Sequence, residues 1–236
     1  MPADSMVARI RRSFDASAGE IVLGMEDGAV SIFGLVFGVA ATTDQNSVVL
    51  IAGISGAFAA AVSMMAGVFL DKQSEGDQER IHKAAIAAAI HADPEQASAR
   101  LLHQLTQAGI DDATANDVLG AVRGQPAALR GLATLAAVGS GDEVPQGPLA
   151  HATWMLFADL AASLLPVLPF ALLPMSTARI VSVLLTAILM LGLGAWRARL
   201  GQRPTLVTAL QTLAIAAAAG VVGVAVGHAV DLWFGQ

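Results

Sequence analysis

The chain has 236 residues, of which 55% are hydrophobic and 14% charged, with a formal net charge of -6 and a mean hydropathy of +0.64. A soluble domain is about 45–50% apolar and about 25% charged, so this composition excludes an ordinary soluble protein. The absence of cysteine also excludes disulfides and thiolate metal ligands.

The apolar residues are gathered into five runs, each close to the roughly 20 residues that a helix needs to cross a bilayer. The runs cover 21–41, 48–70, 150–173, 178–196 and 206–229. We therefore predict an all-α integral membrane protein with five transmembrane helices and a cytoplasmic helical insert between helices 2 and 3. The predicted domains are 1–70 (N-terminal segment and helices 1–2), 71–149 (insert) and 150–236 (helices 3–5).

Basic residues predict the orientation, because cytoplasmic loops are enriched in lysine and arginine. The loops on the opposite side, 42–47 and 172–179, contain a single basic residue, Arg179. We expect the N-terminus and the insert to be cytoplasmic and the C-terminus to be outside. No targeting extension precedes the first span, so we expect a bacterial inner membrane. The basic residues on the predicted cytoplasmic side are Arg9, Arg11, Arg12, Lys72, Arg80, Lys83, Arg197, Arg199 and Arg203.

The insert is predicted to be helical. Its segments are 81–92, which continues span two, then 93–109, 111–123 and 126–139. Asp93 followed by Pro94 is a helix-start signal, and Gly109 is a stop signal. The apolar residues expected to form a small core are Leu101, Leu102, Leu105, Ile110, Val118, Leu119 and Val122.

Two features of the spans predict helix geometry. Pro166, Pro169 and Pro174 predict a kink or an early end near 166–174. Small residues predict close helix packing. They are Gly24, Gly28, Gly34 and Gly38 in span one, Gly56, Ala60 and Ser63 in span two, and Gly220, Gly223 and Gly227 in span five.

The sequence LGMEDGAV places two adjacent carboxylates, Glu26 and Asp27, inside the first apolar run. An acid at the centre of a bilayer costs roughly 2.5–3.5 kcal/mol, so it normally faces a partner or a hydrated cavity. A solvated helix start, or pairing with Arg11 or Arg12, is the simpler interpretation.

Met64 and Met65 in span two are either packing residues or soft thioether ligands. Together with a carboxylate, a thioether favours a transition metal over magnesium or calcium. A further pattern, GISG with Ser55 and a distant His228, is similar to the dyad of intramembrane proteases. Such a motif is common in glycine-rich apolar helices, so we give it little weight.

The insert contains acids and histidines that are candidates for metal binding, although a solvated helix surface is the simpler explanation. His82 and Glu79 lie one helical turn apart. The candidates are Glu75, Glu79, His82 and Glu95.

Taken together, these pieces resemble the vacuolar iron transporter (VIT) family over about residues 18–234. The resemblance rests on EIVLGMEDGAVSIFGLVFGVA in span one, AGISGAFAAAVSMMAGVFLDKQSE in span two, and the glycine-rich last span. The five spans and the long insert after span two agree with it.

The resemblance implies a homodimer that moves Fe²⁺, and often Mn²⁺, out of the cytosol in exchange for protons, along a path between the two subunits. The family's span-one aspartate falls on Asp27 and its span-two methionine on Met64. Beside them, Glu26, Met65 and Asp159, an additional acid in span three, are candidates to assist; alternatively, Asp159 only holds water near the proline kink. The metal would be a transported substrate, and we expect neither a permanent cofactor nor a nucleic-acid partner.

The sequence departs from the family at two places. Iron-transporting members have a glutamate where this chain has Gly56. Their insert also has several glutamates, whereas here its first helix (81–92) is alanine-rich and AAVG (136–139) stands where the family has a Glu-Glu-Leu-Gly ending. The alternative function is therefore a non-transporting or differently selective membrane scaffold or regulatory dimer.

Overall fold

A computed structural model of the chain describes residues 8, 10, 11, 13–15, 17–122, 124–138 and 147–234. Within these ranges the protein is α-helical, with short loops and no strand. The helices are α1 (Ala18–Ala40), α2 (Asn46–Ala92), α3 (Pro94–Gln107), α4 (Asp112–Val122), α5 (Pro126–Val138), α6 (Pro148–Leu172), α7 (Met175–Leu200) and α8 (Thr205–Phe234).

Among the described residues, five helices are long and apolar enough to cross a membrane. They are α1, α2, α6, α7 and α8. This confirms the predicted all-α membrane protein with five spanning helices. The chain divides into two compact units, one made of residues 1–70 and 145–236 and the other of residues 71–144, and the division falls within α2.

In the first unit, α1 is the central helix. Buried residues make up 61% of an apolar 18-residue stretch of α1, but only 11% of the corresponding stretch of α8. One core cluster joins Ile32 and Val36 of α1 to Ala57 of α2 and to Val167 and Phe170 of α6. The side chains of α1 are therefore fixed by helices on several sides, which matters because α1 holds the two adjacent acids.

In this unit, the backbones of α1 and α8 approach each other closely at several glycines. A Cβ atom added at Gly38 would lie 2.8 Å from the carbonyl oxygen of Gly223, and Cβ atoms at Gly223 and Gly227 would collide with the carbonyls of Gly34 and Gly38. The two backbones therefore touch directly, as the small residues predicted. We call Gly34, Gly38, Gly223 and Gly227 the glycine seam.

Helix α6 ends at Leu172, close to the end of the predicted span at 173 and before Pro174. Side chains from neighbouring helices satisfy carbonyl groups near this end. Ser182 Oγ donates to the Pro166 oxygen at 2.7 Å, and Asn46 Nδ2 donates to the oxygens of Phe170 at 2.9 Å and Leu173 at 2.7 Å. The helix thus continues through Pro166 and Pro169 and ends within the predicted stretch 166–174, and polar groups freed there are compensated within the protein.

The second unit is built from short capped helices. Asp93 caps α3 by accepting a hydrogen bond from the Gln96 backbone N–H at 2.9 Å, and Gly109 beyond its end has a φ of +92°. Hydrogen bonds from the Thr114 side chain and backbone lower the pKa of the Asp111 carboxyl from its usual 3.8.

The core of the second unit contains every predicted residue except one, together with residues that were not predicted. Val118 is 36% exposed, so its predicted place in the core is wrong. The buried face of α4 instead passes through the small residue Ala115, which the sequence interpretation did not include. The buried cluster contains Ile90, Leu101, Leu105, Ala115, Leu119 and Leu129, with Leu102, Ile110 and Val122 packed against it.

Candidate functional site

Glu26 is enclosed by three helices of the first unit. Its carboxylate accepts hydrogen bonds from Arg197 Nη1 of α7 at 3.0 Å and from Thr212 Oγ1 of α8 at 3.4 Å. The side chain is only 10% exposed, whereas that of Arg197 is 49% exposed. Glu26 is therefore a buried and neutralised charge. The cation that pairs with Glu26 is thus Arg197, and not Arg11, which instead pairs with Asp15. Arg12, the other predicted partner, lies outside the described residues.

Asp27, the next residue, lies on a different face of α1. Successive residues of a helix point about 100° apart, so Asp27 is exposed although Glu26 is buried. Within the described part of the chain, its carboxylate has no hydrogen-bond or ion-pair partner. Asp27 does interact electrostatically with Asp159 of α6. The two acids therefore belong to one region of the molecule.

Asp159 is completely buried and faces Gly28 of α1, where an added Cβ would collide with Asp159 Oδ1. Ser163, one helical turn further along α6, would lie 2.5 Å from the same Cβ. Both carboxylate oxygens of Asp159 and the Ser163 hydroxyl have no hydrogen-bond partner among the described residues. Unsatisfied buried polar groups are costly, so a proton or a ligand that bonded to these oxygens would be favourable.

Met64 and Met65 are half-buried on α2. Helix α2 packs against α1 at Gly56, where an added Cβ would meet the side chains of Leu35 and Ile32. The two helices run in opposite directions, so Met64, two turns beyond Gly56 and roughly 12 Å along the axis, lies at the level of the two acids of α1. The position where the family has a glutamate thus contacts leucine and isoleucine in this chain.

The candidates in the insert are not brought together. Glu75 pairs with Lys72 at 3.1 Å, Glu79 pairs with Lys83, and Glu95 lies in the first turn of α3. His82 is exposed. In the part of the chain that the structure describes, no group of three or more histidine or acidic residues could hold a metal ion.

Sequence reasoning missed several polar partners in the first unit. Arg197 was used only to predict orientation, and nothing distinguished Thr212 or Ser163 from other small polar residues. A further cluster lies where α1 and α6 begin. There His151 Nδ1 is 3.1 Å from Ser17 Oγ and 3.0 Å from Glu20 Oε2. A histidine at the start of an apolar run was the available signal for this cluster.

Comparison with known proteins gives a consistent result. A family model described as the VIT family matches residues 18–228. The chain is similar to vacuolar iron transporter 1 of Eucalyptus grandis, with 28% identity over 91% of this chain and 88% of that protein. It is also similar to vacuolar iron transporter 1 of Arabidopsis thaliana (31% identity, 67% of this chain and 65% of that protein) and vacuolar iron transporter 2 of Oryza sativa subsp. japonica (27%, 90% and 87%).

Proposed function

The chain belongs to the VIT family, and on that premise we propose that it exports a divalent transition metal, Fe²⁺ or Mn²⁺, from the cytoplasm in exchange for protons. Membership of the family makes it a membrane transporter rather than an enzyme. The names of the relatives, vacuolar iron transporters, support iron as the transported substrate.

The observation that carries the proposal is the environment of Asp27. A carboxylate exposed to lipid on a membrane-spanning helix is unfavourable, and such residues normally line an ion or proton pathway. Asp27 is exposed, and its carboxylate has no hydrogen bond or ion pair among the described residues. Its charge interacts electrostatically with the buried Asp159. A divalent cation and a proton would each bind this carboxylate and compensate its negative charge, so the two would compete for it.

The other residues have supporting roles in this proposal. Met64, with Met65 beside it, supplies soft thioether sulfur at the level of Asp27, which favours a transition metal. Asp159 offers unpartnered oxygens on the inner side of α1. Glu26 assists by holding α1 to α7 through Arg197.

A homodimer fits the exposure of Asp27, because a second copy would cover it and the path would then run between the two subunits. An open groove of about 750 Å³ lies along α1 and α8 and contains the glycine seam. We propose that the N-terminus and the insert are cytoplasmic, that the C-terminus is outside, and that the membrane is a bacterial inner membrane. The insert residues Glu75, Glu79, His82 and Glu95 remain candidates for gathering cytosolic metal.

The test is metal-dependent proton flux, measured with the full-length protein in liposomes and with iron, manganese and cobalt in parallel. Asp27→Ala is expected to abolish the flux because it removes the shared carboxylate. Asp117→Ala, which removes an exposed acid of α4, is the control and should leave the flux unchanged. Full activity of Asp27→Ala would contradict the assignment of the site.

The second candidate function is a membrane scaffold or regulatory dimer that does not transport these metals. It is favoured by Gly56 at the family's glutamate position and by the absence of a metal cluster in the described residues. Unmodified protein that shows neither flux in liposomes nor metal binding by calorimetry would support this function over transport.

A further inference from the structure

A cavity of about 390 Å³ lies beside the turn that connects α7 and α8. It differs from the groove along the glycine seam because charged side chains line it. The residues around it include Arg197, Arg203, Glu26, Leu23, Leu200 and Gly19.

The turn next to this cavity has a defined conformation. The Gly201 N–H donates to the Arg197 oxygen at 3.0 Å, and the Arg203 N–H donates to the Ala198 oxygen at 2.8 Å. Gln202 between them has a φ of 51°, so the turn has the left-handed geometry that closes many helices. The backbone at Arg203 is therefore held in place before any ligand binds.

The charge in the cavity is positive overall. Arg197 Nη1 donates to Glu26, which neutralises that carboxylate. The guanidinium of Arg203 has no acceptor among the residues that the structure describes. Helix α8 begins at Thr205, immediately after the turn, and has no acid in its first turn, so the positive end of its dipole is not compensated there.

The rim of the cavity is apolar. Leu23 is 57% exposed and Leu200 is 50% exposed. The cavity also lies where two membrane-spanning helices end, which is the level of lipid headgroups. A free anion would gain nothing from the two leucines, whereas a phospholipid would place its phosphate at the arginines and its acyl chains against the leucines.

We propose that this cavity binds the phosphate of an acidic phospholipid, with Arg203 as the main contact and Arg197 as the second. Arginine suits this role because its planar guanidinium can donate two hydrogen bonds to one phosphate. Basic pockets between spanning helices commonly hold anionic headgroups. The site includes none of Asp27, Met64 and Asp159, although Glu26, which pairs with Arg197, lines it.

The test is native mass spectrometry of the full-length protein, released from detergent with either phosphatidylglycerol or phosphatidylcholine. The unmodified protein should retain phosphatidylglycerol preferentially. Arg203→Gln should reduce that preference about fivefold, the factor that corresponds to one lost basic contact. Arg199→Gln is the matched control, because Arg199 is an exposed arginine in the last turn of α7, close in sequence to Arg203, but does not line the cavity.

Two outcomes would overturn the proposal. An equal loss in Arg199→Gln and Arg203→Gln would mean that acidic lipid is attracted by general surface charge. Inorganic phosphate that displaces phosphatidylglycerol at millimolar concentration would mean that the cavity binds a free anion instead. A specific loss in Arg203→Gln, without displacement by phosphate, is the result that we expect.

Discussion

Glu26 and Asp27 are neighbours in sequence, yet their environments differ in almost every respect. Glu26 is buried, paired with Arg197 and hydrogen-bonded to Thr212, whereas Asp27 is exposed and has no partner in the described residues. The difference arises because a helix turns about 100° for each residue. One acid of the pair thus faces the interior of the subunit and the other faces outward.

The depth of an acid in a spanning helix therefore does not by itself determine the role of that acid. A buried and paired carboxylate mainly affects stability, because removing its partner leaves a charge without compensation. An exposed and unpaired one loses no contact within the protein when it is substituted, and in a hydrated path it is free to bind an ion. Three substitutions separate these two roles.

The largest effect on stability is expected from Gly28→Val, which changes the residue that follows the pair. An added Cβ would collide with Asp159 Oδ1 and lie 2.7 Å from the Asp159 carbonyl oxygen. The free energy of unfolding should fall by about 3 kcal/mol, measured in mixed detergent micelles. Gly192→Val is the control, because nothing lies within 4 Å of a Cβ at that position. Equal stability of the two variants would show that α1 and α6 are not tightly packed.

The second-largest effect on stability is expected from removing the cation that pairs with Glu26. Arg197→Gln should lower the free energy of unfolding by about 2 kcal/mol, because Glu26 would remain buried without its cation. The double variant Glu26→Gln with Arg197→Gln should recover most of that loss, since both charges are then absent. If the double variant were as unstable as the single one, the ion pair would not be the cause.

The smallest effect on stability is expected from Asp27→Asn. This exposed side chain has no partner to lose in the described structure, so the free energy of unfolding should change by no more than about 0.5 kcal/mol. The same variant should lose metal-dependent proton flux. A large destabilisation in the unfolding measurement would place Asp27 in the same class as Glu26, and the contrast between the two acids would no longer hold.

Much of the fold follows from local patterns in the sequence. Run length and hydrophobicity predict the five spanning helices, and Asp93 with Pro94 predicts the start of α3, because these signals act within a few residues. Val118 shows the limit of such reasoning. Its size suggested a core residue, but the packing of α4 buries the smaller Ala115 instead, and that choice depends on neighbouring helices.

The candidate site was harder to predict because its partners are far apart in the chain. The sequence identified Glu26, Asp27 and Asp159 as charges in apolar runs. It did not indicate that Arg197, 171 positions away, would pair with Glu26. Which face of α1 meets α6 or α7 is decided by glycines and by side-chain shape, and residue type alone does not specify it.

The glycine seam has a consequence for how α1 and α8 can move relative to each other. Carbonyl groups of α1 already occupy the positions where side chains on α8 would be. Rotating α8 about its own axis would bring the bulkier Val222 or Val224 into that space, because successive residues of a helix point about 100° apart. Rotation of α8 against α1 is therefore opposed, and rearrangement of this unit should occur where other helices meet this pair.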